Sequence, residues 1–145
     1  MKPFSIIFLF SLLALCYSNS ELSAHVFVGK DYTFDLSYDG AENSEGVKRL
    51  LDTETGEKWQ FFYFCETKKN AKKCGSWVDD KGVKIKGVST KVKRTADGAL
   101  FSKLTLKDAG SYARVPEDKD EAQASLQRVR VTVQSPPPPP PPTKN

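Results

Sequence analysis

The sequence predicts an all-β protein, because apolar and polar residues alternate over several short segments that turn signals separate. One segment covers residues 32–38, another lies at 83–86, and the last covers 128–133. Each has the period of two expected of an antiparallel strand with one face in a core. Asp39-Gly40 and Asp97-Gly98 are typical turn dipeptides. Many short strands with frequent turns indicate a β-sandwich or a β-barrel.

The composition fits one folded domain. The chain has 145 residues, of which 28% are charged and 39% are hydrophobic, and this balance excludes an intrinsically disordered chain. Three cysteines and one histidine form no Cys/His cluster of the kind that holds structural zinc. We therefore expect a single domain over residues 21–135 that holds no metal or other cofactor.

Both ends of the chain differ from this domain. Residues 1–18 combine Lys2 with an apolar run at 4–16, which is the layout of a cleavable secretory signal peptide. That run has about 13 residues, fewer than the roughly 20 that cross a bilayer, which favours a cleavable signal over the alternative of a signal anchor. Residues 136–145 begin with seven prolines and contain no hydrophobic segment. We expect a secreted, extracellular protein whose mature chain has no membrane anchor.

The seven prolines predict a stiff polyproline II rod, roughly 20 Å long at about 3.1 Å per residue. We expect this proline-rich disordered tail to act as a spacer. The alternative is docking in an aromatic groove of the SH3 or WW type.

The segment 59–65 reads Trp-Gln-Phe-Phe-Tyr-Phe-Cys and predicts a strand with apolar groups on both faces. If Trp59, Phe61 and Tyr63 fill the core, Phe62 and Phe64 are left exposed as protein-binding anchors. The alternative is that neighbouring segments of the same chain cover them. The polar stretch 39–57 before this strand predicts a long, mobile connection with at most one helical turn at 44–52.

The residues Phe101-Ser-Lys-Leu-Thr-Leu-Lys-Asp-Ala-Gly-Ser-Tyr112 resemble the E strand, E–F turn and tyrosine corner of immunoglobulin-like domains. The resemblance implies an immunoglobulin-like antiparallel β-sandwich in which Asp108, Gly110 and Tyr112 have structural roles. Gly110 permits the tight corner, and the Tyr112 hydroxyl closes it by bonding to backbone upstream. The family pattern also implies a basic partner for Asp108 near the start of strand D, here Lys91, Lys93 or Arg94.

The chain departs from the family at the usual disulfide between the two sheets. The two positions hold Leu36, or a neighbour, and Arg114 instead of cysteine. We therefore expect a core held by packing, and a strand that ends near Val115-Pro116 with Arg114 turned outward, because burying an unpaired arginine is costly.

Cys65 and Cys74 remain after removal of the signal peptide, which contains the third cysteine. Because the secretory route is oxidising, we expect a disulfide bond between them. The loop it closes is short, so its stabilisation should be roughly 2–3 kcal/mol.

Positive charge is concentrated in residues 68–94, which contain ten Lys or Arg and two acids. A basic face for an anionic polysaccharide such as a glycosaminoglycan is one reading. Lysines that protect edge strands from unwanted pairing are the other. Nucleic acid is not expected as a partner outside the cell. The possible anion-binding residues are Lys68, Lys69, Lys72, Lys73, Lys84, Lys86, Lys91 and Lys93.

No residue pattern indicates catalysis. His25 is the single histidine, and no Ser or Cys stands in a recognisable nucleophile motif. The four acids at 117, 118, 120 and 121 predict a solvated hairpin tip, not a calcium loop. We expect a secreted, non-catalytic recognition module that binds another extracellular or cell-surface protein or associates with itself. The alternative function is binding of anionic polysaccharide through the lysine-rich face.

Overall fold

The computed structural model describes residues 21–52, 58–66 and 68–142, and the predicted signal peptide at 1–18 lies outside them. The described part contains nine strands, one short α-helix and two 3₁₀ turns. The strands are β1 (Leu22–Phe27), β2 (Tyr32–Asp35), β3 (Gly46–Leu51), β4 (Trp59–Tyr63), β5 (Trp77–Val78), β6 (Lys91–Arg94), β7 (Gly98–Ser102), β8 (Gly110–Val115) and β9 (Val129–Gln134). Helix α1 covers Glu121–Leu126, and the 3₁₀ turns cover Lys68–Asn70 and Leu106–Asp108.

The strands form two packed sheets. One has six strands in the order β1-β9-β8-β3-β4-β5, and the other has three in the order β2-β7-β6. β1 pairs with β9 in parallel, and every other strand pair is antiparallel. This is the immunoglobulin-like antiparallel β-sandwich that the sequence predicts. We call the faces turned away from the opposite sheet the outer faces.

The core lies between the sheets and is built by the alternating residues of the predicted strands. Tyr112 is completely buried and meets the Phe101 ring edge-on at 5.1 Å between centroids. Leu36 is buried as predicted. Val131 and Val133 fill the core from β9, which confirms the period of two in the last strand.

The segment 44–52 was predicted to be loop with at most a helical turn, and this prediction is wrong. Residues Gly46–Leu51 form β3, which pairs with both β4 and β8 near the middle of the larger sheet. The inward positions of β3 are Val47 and Arg49, both buried. Because one of these two is charged, the alternation that marks a strand is hidden in the sequence.

Residues 83–86 were predicted to form a strand, and this is also wrong, apart from one isolated bridge between Val78 and Lys84. The Asp79 carboxylate accepts hydrogen bonds from the backbone N–H groups of Lys81 and Val83, at 3.0 and 2.8 Å. Such side-chain bonds favour turns over strand pairing. Val83 is consequently 60% exposed.

Candidate functional site

The tyrosine corner forms as predicted. The Tyr112 hydroxyl donates to the backbone carbonyl of Asp108 at 2.6 Å, and burial raises the pKa of Tyr112 to about 12. Gly110 has φ 157°, and a Cβ there would lie 2.2 Å from the Leu50 carbonyl oxygen of β3. The corner therefore requires glycine because β3 runs directly against it.

Asp108 is the centre of a buried polar cluster. Its Oδ1 accepts from Arg49 Nη1 at 2.8 Å and from the Thr90 hydroxyl, and its Oδ2 accepts from the backbone N–H and hydroxyl of Thr105 at 2.7 and 2.8 Å. Burial acts to raise the pKa of Asp108, but the bonds from Thr90 and Thr105 and the Arg49 charge outweigh it and lower that pKa. The carboxylate is thereby held ionised inside the protein.

The partner of Asp108 was predicted to be Lys91, Lys93 or Arg94, and this is wrong. The partner is Arg49, which comes from the strand that the sequence did not reveal. Arg94 instead donates to the backbone carbonyls of Ser44 and Glu42 at 2.8 and 3.0 Å. Its side chain ties the loop before β3 to the smaller sheet.

Arg49 is satisfied on its other sides as well. Its Nε donates to Gln60 Oε1 at 3.0 Å, and its guanidinium lies 4.0 Å from the centroid of the Trp77 ring. A buried arginine is tolerable only when it is paired in this way. The inner face of the larger sheet is therefore fixed by polar contacts as well as by packing.

Arg114 was predicted to turn outward, and this is wrong, although β8 does end at Val115. Arg114 pairs in register with Val47 and is buried on the same face as Tyr112. Its Nε donates to Gln127 Oε1 at 3.1 Å and its Nη1 to the Gly40 carbonyl at 3.2 Å. Because these acceptors satisfy the guanidinium, burying Arg114 does not carry the cost of an unpaired arginine, on which the outward prediction was based.

The disulfide between Cys65 and Cys74 is present, as predicted. It closes a loop that lies against the ends of β3 and β4. Lys69 Nζ is 2.8 Å from Glu45 Oε1, and Lys73 Nζ lies 4.0 Å from the centroid of the Tyr63 ring. The loop that the disulfide closes thus holds Lys73 beside the outward-facing Tyr63.

The aromatic residues of β4 have the opposite phase to the prediction. Phe62 and Phe64 are 7% and 5% exposed and belong to the core, so the expectation that they are exposed binding anchors is wrong. Pairing decides the phase, because Phe62 lies opposite Val47 of β3 and Trp77 of β5. Both of those residues face inward.

Trp59, Phe61 and Tyr63 consequently lie on the outer face of the six-stranded sheet, and we call them the aromatic ladder. All three are half-buried. The rings of Phe61 and Tyr63 stack with centroids 6.3 Å apart and planes 10° apart. The rigid strand presents these rings to solvent at fixed spacing.

Paired charges border one end of the aromatic ladder. Lys48 Nζ and Arg128 lie over the Trp59 ring, at 4.2 and 6.0 Å from its centroid. Both cations pair with Glu117, whose Oε1 is 2.7 Å from Arg128 Nε. Burial acts to raise the pKa of Glu117, but the hydrogen bonds from Arg128 and Lys48 outweigh it and lower that pKa.

The acids after β8 were predicted to be a solvated tip, and this is wrong for Glu117, whereas Asp120 and Glu121 are exposed. Glu117 is buried in its ion pairs to 16% side-chain exposure. Asp120 caps helix α1 by accepting from the backbone N–H of Ala122 at 2.9 Å.

Helix α1 forms a wall of a cleft of about 540 Å³ beside the aromatic ladder. Its lining includes Leu50, Trp59, Ser111, Glu121, Ser125 and Arg128.

The predicted basic residues do not lie on one face. Lys91 and Lys93 flank the inward Val92 and project from the outer face of the three-stranded sheet. Lys73 contacts Tyr63 on the outer face of the other sheet. Lys69, Lys72, Lys84 and Lys86 are exposed, and the side chain of Lys68 lies outside the described residues. Anion binding by these lysines stays a prediction.

Two features are absent from the described residues 21–52, 58–66 and 68–142. None of their helices is long and apolar enough to cross a lipid bilayer. No three His, Cys, Asp or Glu side chains among them group together as a metal site requires.

Comparison with known proteins gives structural likeness without sequence likeness. No family model matches the chain, and no curated protein matches it in sequence. CD84 resembles it with a TM-score of 0.46 and 11% identity, over 80% of this chain and 99% of that one. The first immunoglobulin-like domain of human CD48 resembles it with a TM-score of 0.42 and 18% identity, over 86% of this chain and 91% of that one. A third similar structure is that of the extracellular domains of the voltage-gated sodium channel β4 subunit, described as parallel homodimers that explain its role in cell–cell adhesion. Its TM-score is 0.41 at 11% identity, over 79% of this chain and 86% of that one.

Proposed function

We propose that this protein is a secreted, non-catalytic recognition module that binds another extracellular or cell-surface protein. The binding surface is the outer face of the six-stranded sheet, centred on the aromatic ladder. The observation that carries the proposal is the placement of Trp59, Phe61 and Tyr63 on that face, half-exposed and in register.

The chemistry of the ladder suits a protein partner. Tryptophan, tyrosine and arginine are the residue types that dominate the energetics of protein interfaces. Here Trp59 and Tyr63 lie close to Arg128 and Lys73, which are held by contacts with the rings. Because a β-strand fixes the rings before binding, little conformational entropy is lost on association.

The buried polar groups support a structural role for these residues instead of a catalytic one. Asp108, Arg49 and Tyr112 are the most enclosed ionisable groups of the sandwich, and each is bonded to a neighbour that it holds in place. A recognition module needs a rigid scaffold, and this cluster joins β3, the turn before β8 and β8 itself.

The compartment is part of the proposal. A disulfide between Cys65 and Cys74 is stable where thiols are oxidised, as outside the cell. Residues 1–18 are proposed to be the signal peptide, and residues 136–145 a proline-rich tail that follows the domain.

The test is cell-surface staining with fluorescent tetramers of the protein. The ladder variant is Phe61→Ser, and the matched control is Leu100→Ser, which alters a half-buried residue on the outer face of the other sheet. We expect the ladder variant to lose staining and the control to keep it. Equal staining by both variants would contradict the proposed surface.

The same assay distinguishes the second candidate function, binding of anionic polysaccharide. The exposed Lys84, Lys86, Lys91 and Lys93 favour this candidate. The second candidate would replace the first proposal under two conditions. Staining must be abolished both by heparinase treatment of the cells and by replacing these four lysines with alanine, and Phe61→Ser must leave it unchanged. Staining that trypsin treatment of the cells abolishes and heparinase treatment leaves unchanged supports a protein partner.

A further inference from the structure

The proline-rich segment is held out into solvent directly after the last strand. Residues 136–142 are all exposed, and Ser135 alone separates them from Gln134, the last residue of β9. Seven consecutive prolines form a stiff polyproline II rod, roughly 20 Å long. Such a rod is ordered before binding, so docking it costs little entropy.

A second cleft lies at the aromatic ladder, between β4 and the turn that follows β5. Its volume is about 470 Å³. Two ladder rings and charged side chains line it, namely Lys58, Trp59, Phe61, Asp79, Asp80 and Lys81.

The chemistry of this cleft is complementary to that of the rod. Proline has no N–H, so a polyproline rod offers apolar rings and carbonyl acceptors but no backbone donors. The cleft offers aromatic rings from Trp59 and Phe61 and ammonium donors from the exposed Lys58 and Lys81. Oδ1 of Asp79 is already bonded to two backbone N–H groups of its own turn. Aromatic-lined grooves are the usual receptors for polyproline II segments.

The dimensions also agree. Trp59, Phe61 and Tyr63 span about 13 Å along β4 at roughly 3.3 Å per residue. The rod is longer than the ladder, and because residues 136–142 are all proline, shifting it by one residue presents the same chemistry.

The strand directions point the rod away from the cleft of its own chain. β9 is antiparallel to β8, β8 to β3 and β3 to β4, so β9 runs opposite to β4. Trp59, the first residue of β4, pairs in register with Leu50 of β3, and Leu50 pairs with Ser111 of β8. Ser111 pairs in turn with Arg130 of β9, so Trp59 and Arg130 lie at the same level of the sheet. Gln134 lies four residues beyond Arg130, about 13 Å further along. The rod therefore leaves from the sheet end past Trp59, and only Ser135 separates it from β9.

We propose that residues 136–142 of one copy dock in the cleft at Trp59 and Phe61 of a second copy. This inference rests on the proposed function, because it uses the same face. It gives that face a second occupant, the tail of the same protein, which competes with the external partner.

The test is sedimentation equilibrium of the full-length secreted chain over a range of concentrations. One variant replaces residues 136–142 by seven serines, and another combines Lys58→Ala with Lys81→Ala, which removes the donors from exposed positions without touching the core. The matched control combines Lys91→Ala with Lys93→Ala on the other sheet. We expect the wild-type protein and the control to associate, and the other two variants to lose about tenfold or more in association constant.

The NMR signal of the Trp59 indole N–H locates the contact. We expect it to shift with concentration in the wild-type protein but not in the seven-serine variant. A shift that the rod causes at every concentration would mean docking within one chain and would overturn the proposal. A wild-type protein that stays monomeric, or a seven-serine variant that associates like it, would also overturn it.

Failure of this inference is distinguishable from failure of the proposed function. The seven-serine variant keeps the ladder, so its tetramers stain cells if the external partner exists. If the seven-serine variant associates as strongly as the wild-type protein, the inference alone is rejected. If Phe61→Ser and Leu100→Ser stain cells equally, the proposed function is rejected.

Discussion

Arg49 of β3 and Asp108, before β8, form a buried ion pair, with Nη1 2.8 Å from Oδ1 and the two side chains 1% and 5% exposed. Thr90 and Thr105 bond the same carboxylate, and Trp77 covers the guanidinium. The pair joins the central strand of the larger sheet to the corner motif, and it is the polar centre of the sandwich.

Arg49→Ala should destabilise the fold strongly, because it leaves the Asp108 carboxylate buried without its cation. Breaking a buried pair in this way costs about 3–5 kcal/mol. Arg130→Ala removes a half-exposed pair with Asp52 and should cost no more than about 1 kcal/mol. Urea unfolding measures both free energies, and equal losses would show that the buried pair has no special role.

Asp108 should also make stability depend on acid. Its folded-state pKa is lowered, so its contribution is present above the unfolded pKa of about 3.9 and is lost as pH falls through the folded value. The difference in free energy of unfolding between wild type and Asp108→Asn should therefore shrink as pH falls from about 4. A difference that stays constant down to pH 2 would contradict the ion-pair assignment.

Tyr112→Phe should lose the bond to the Asp108 carbonyl and leave that buried acceptor unsatisfied. The expected cost is about 1–3 kcal/mol. Tyr63→Phe is the matched control, since Tyr63 is half-buried on the outer face. Thermal unfolding of the two variants side by side checks this, and a larger loss for Tyr63→Phe would be inconsistent with the corner.

Removing the disulfide with Cys65→Ser and Cys74→Ser should leave a folded domain that is roughly 2–3 kcal/mol less stable. Hydrogen exchange should increase in residues 68–74 and remain unchanged in β8. Loss of all cooperative unfolding would mean that the disulfide supports the whole sandwich instead of one loop.

The sequence was sufficient where local pattern and chemistry agree. Alternation identified β9, and the corner motif placed Tyr112 and Gly110 correctly, because both are short-range features. β3 was missed because Arg49 occupies an inward position, and its partner Asp108 lies 59 residues away. The phase of β4 was ambiguous because Trp59 to Phe64 is aromatic at all positions but one. Only the neighbouring strands β3 and β5 decide which rings are inside.

The two adjacent phenylalanines of β4 give a direct test of that phase. Phe62→Ser should cost about 3–5 kcal/mol, as for other large-to-small changes in a core. Phe61→Ser should cost much less, because its ring is partly exposed on the outer face. Urea unfolding of the pair of variants provides the comparison, and a reversed order would restore the predicted phase.

The central claim is that the outer face carrying Trp59, Phe61 and Tyr63 is the recognition surface. It is tested most directly by tetramer staining of cells with Phe61→Ser and Leu100→Ser, after unfolding measurements have shown that both variants are folded. We expect Phe61→Ser to reduce staining by about tenfold or more, as for loss of an interface anchor, and Leu100→Ser to match the wild type. Full staining by Phe61→Ser together with loss of staining by Leu100→Ser would contradict the claim and assign recognition to the three-stranded sheet.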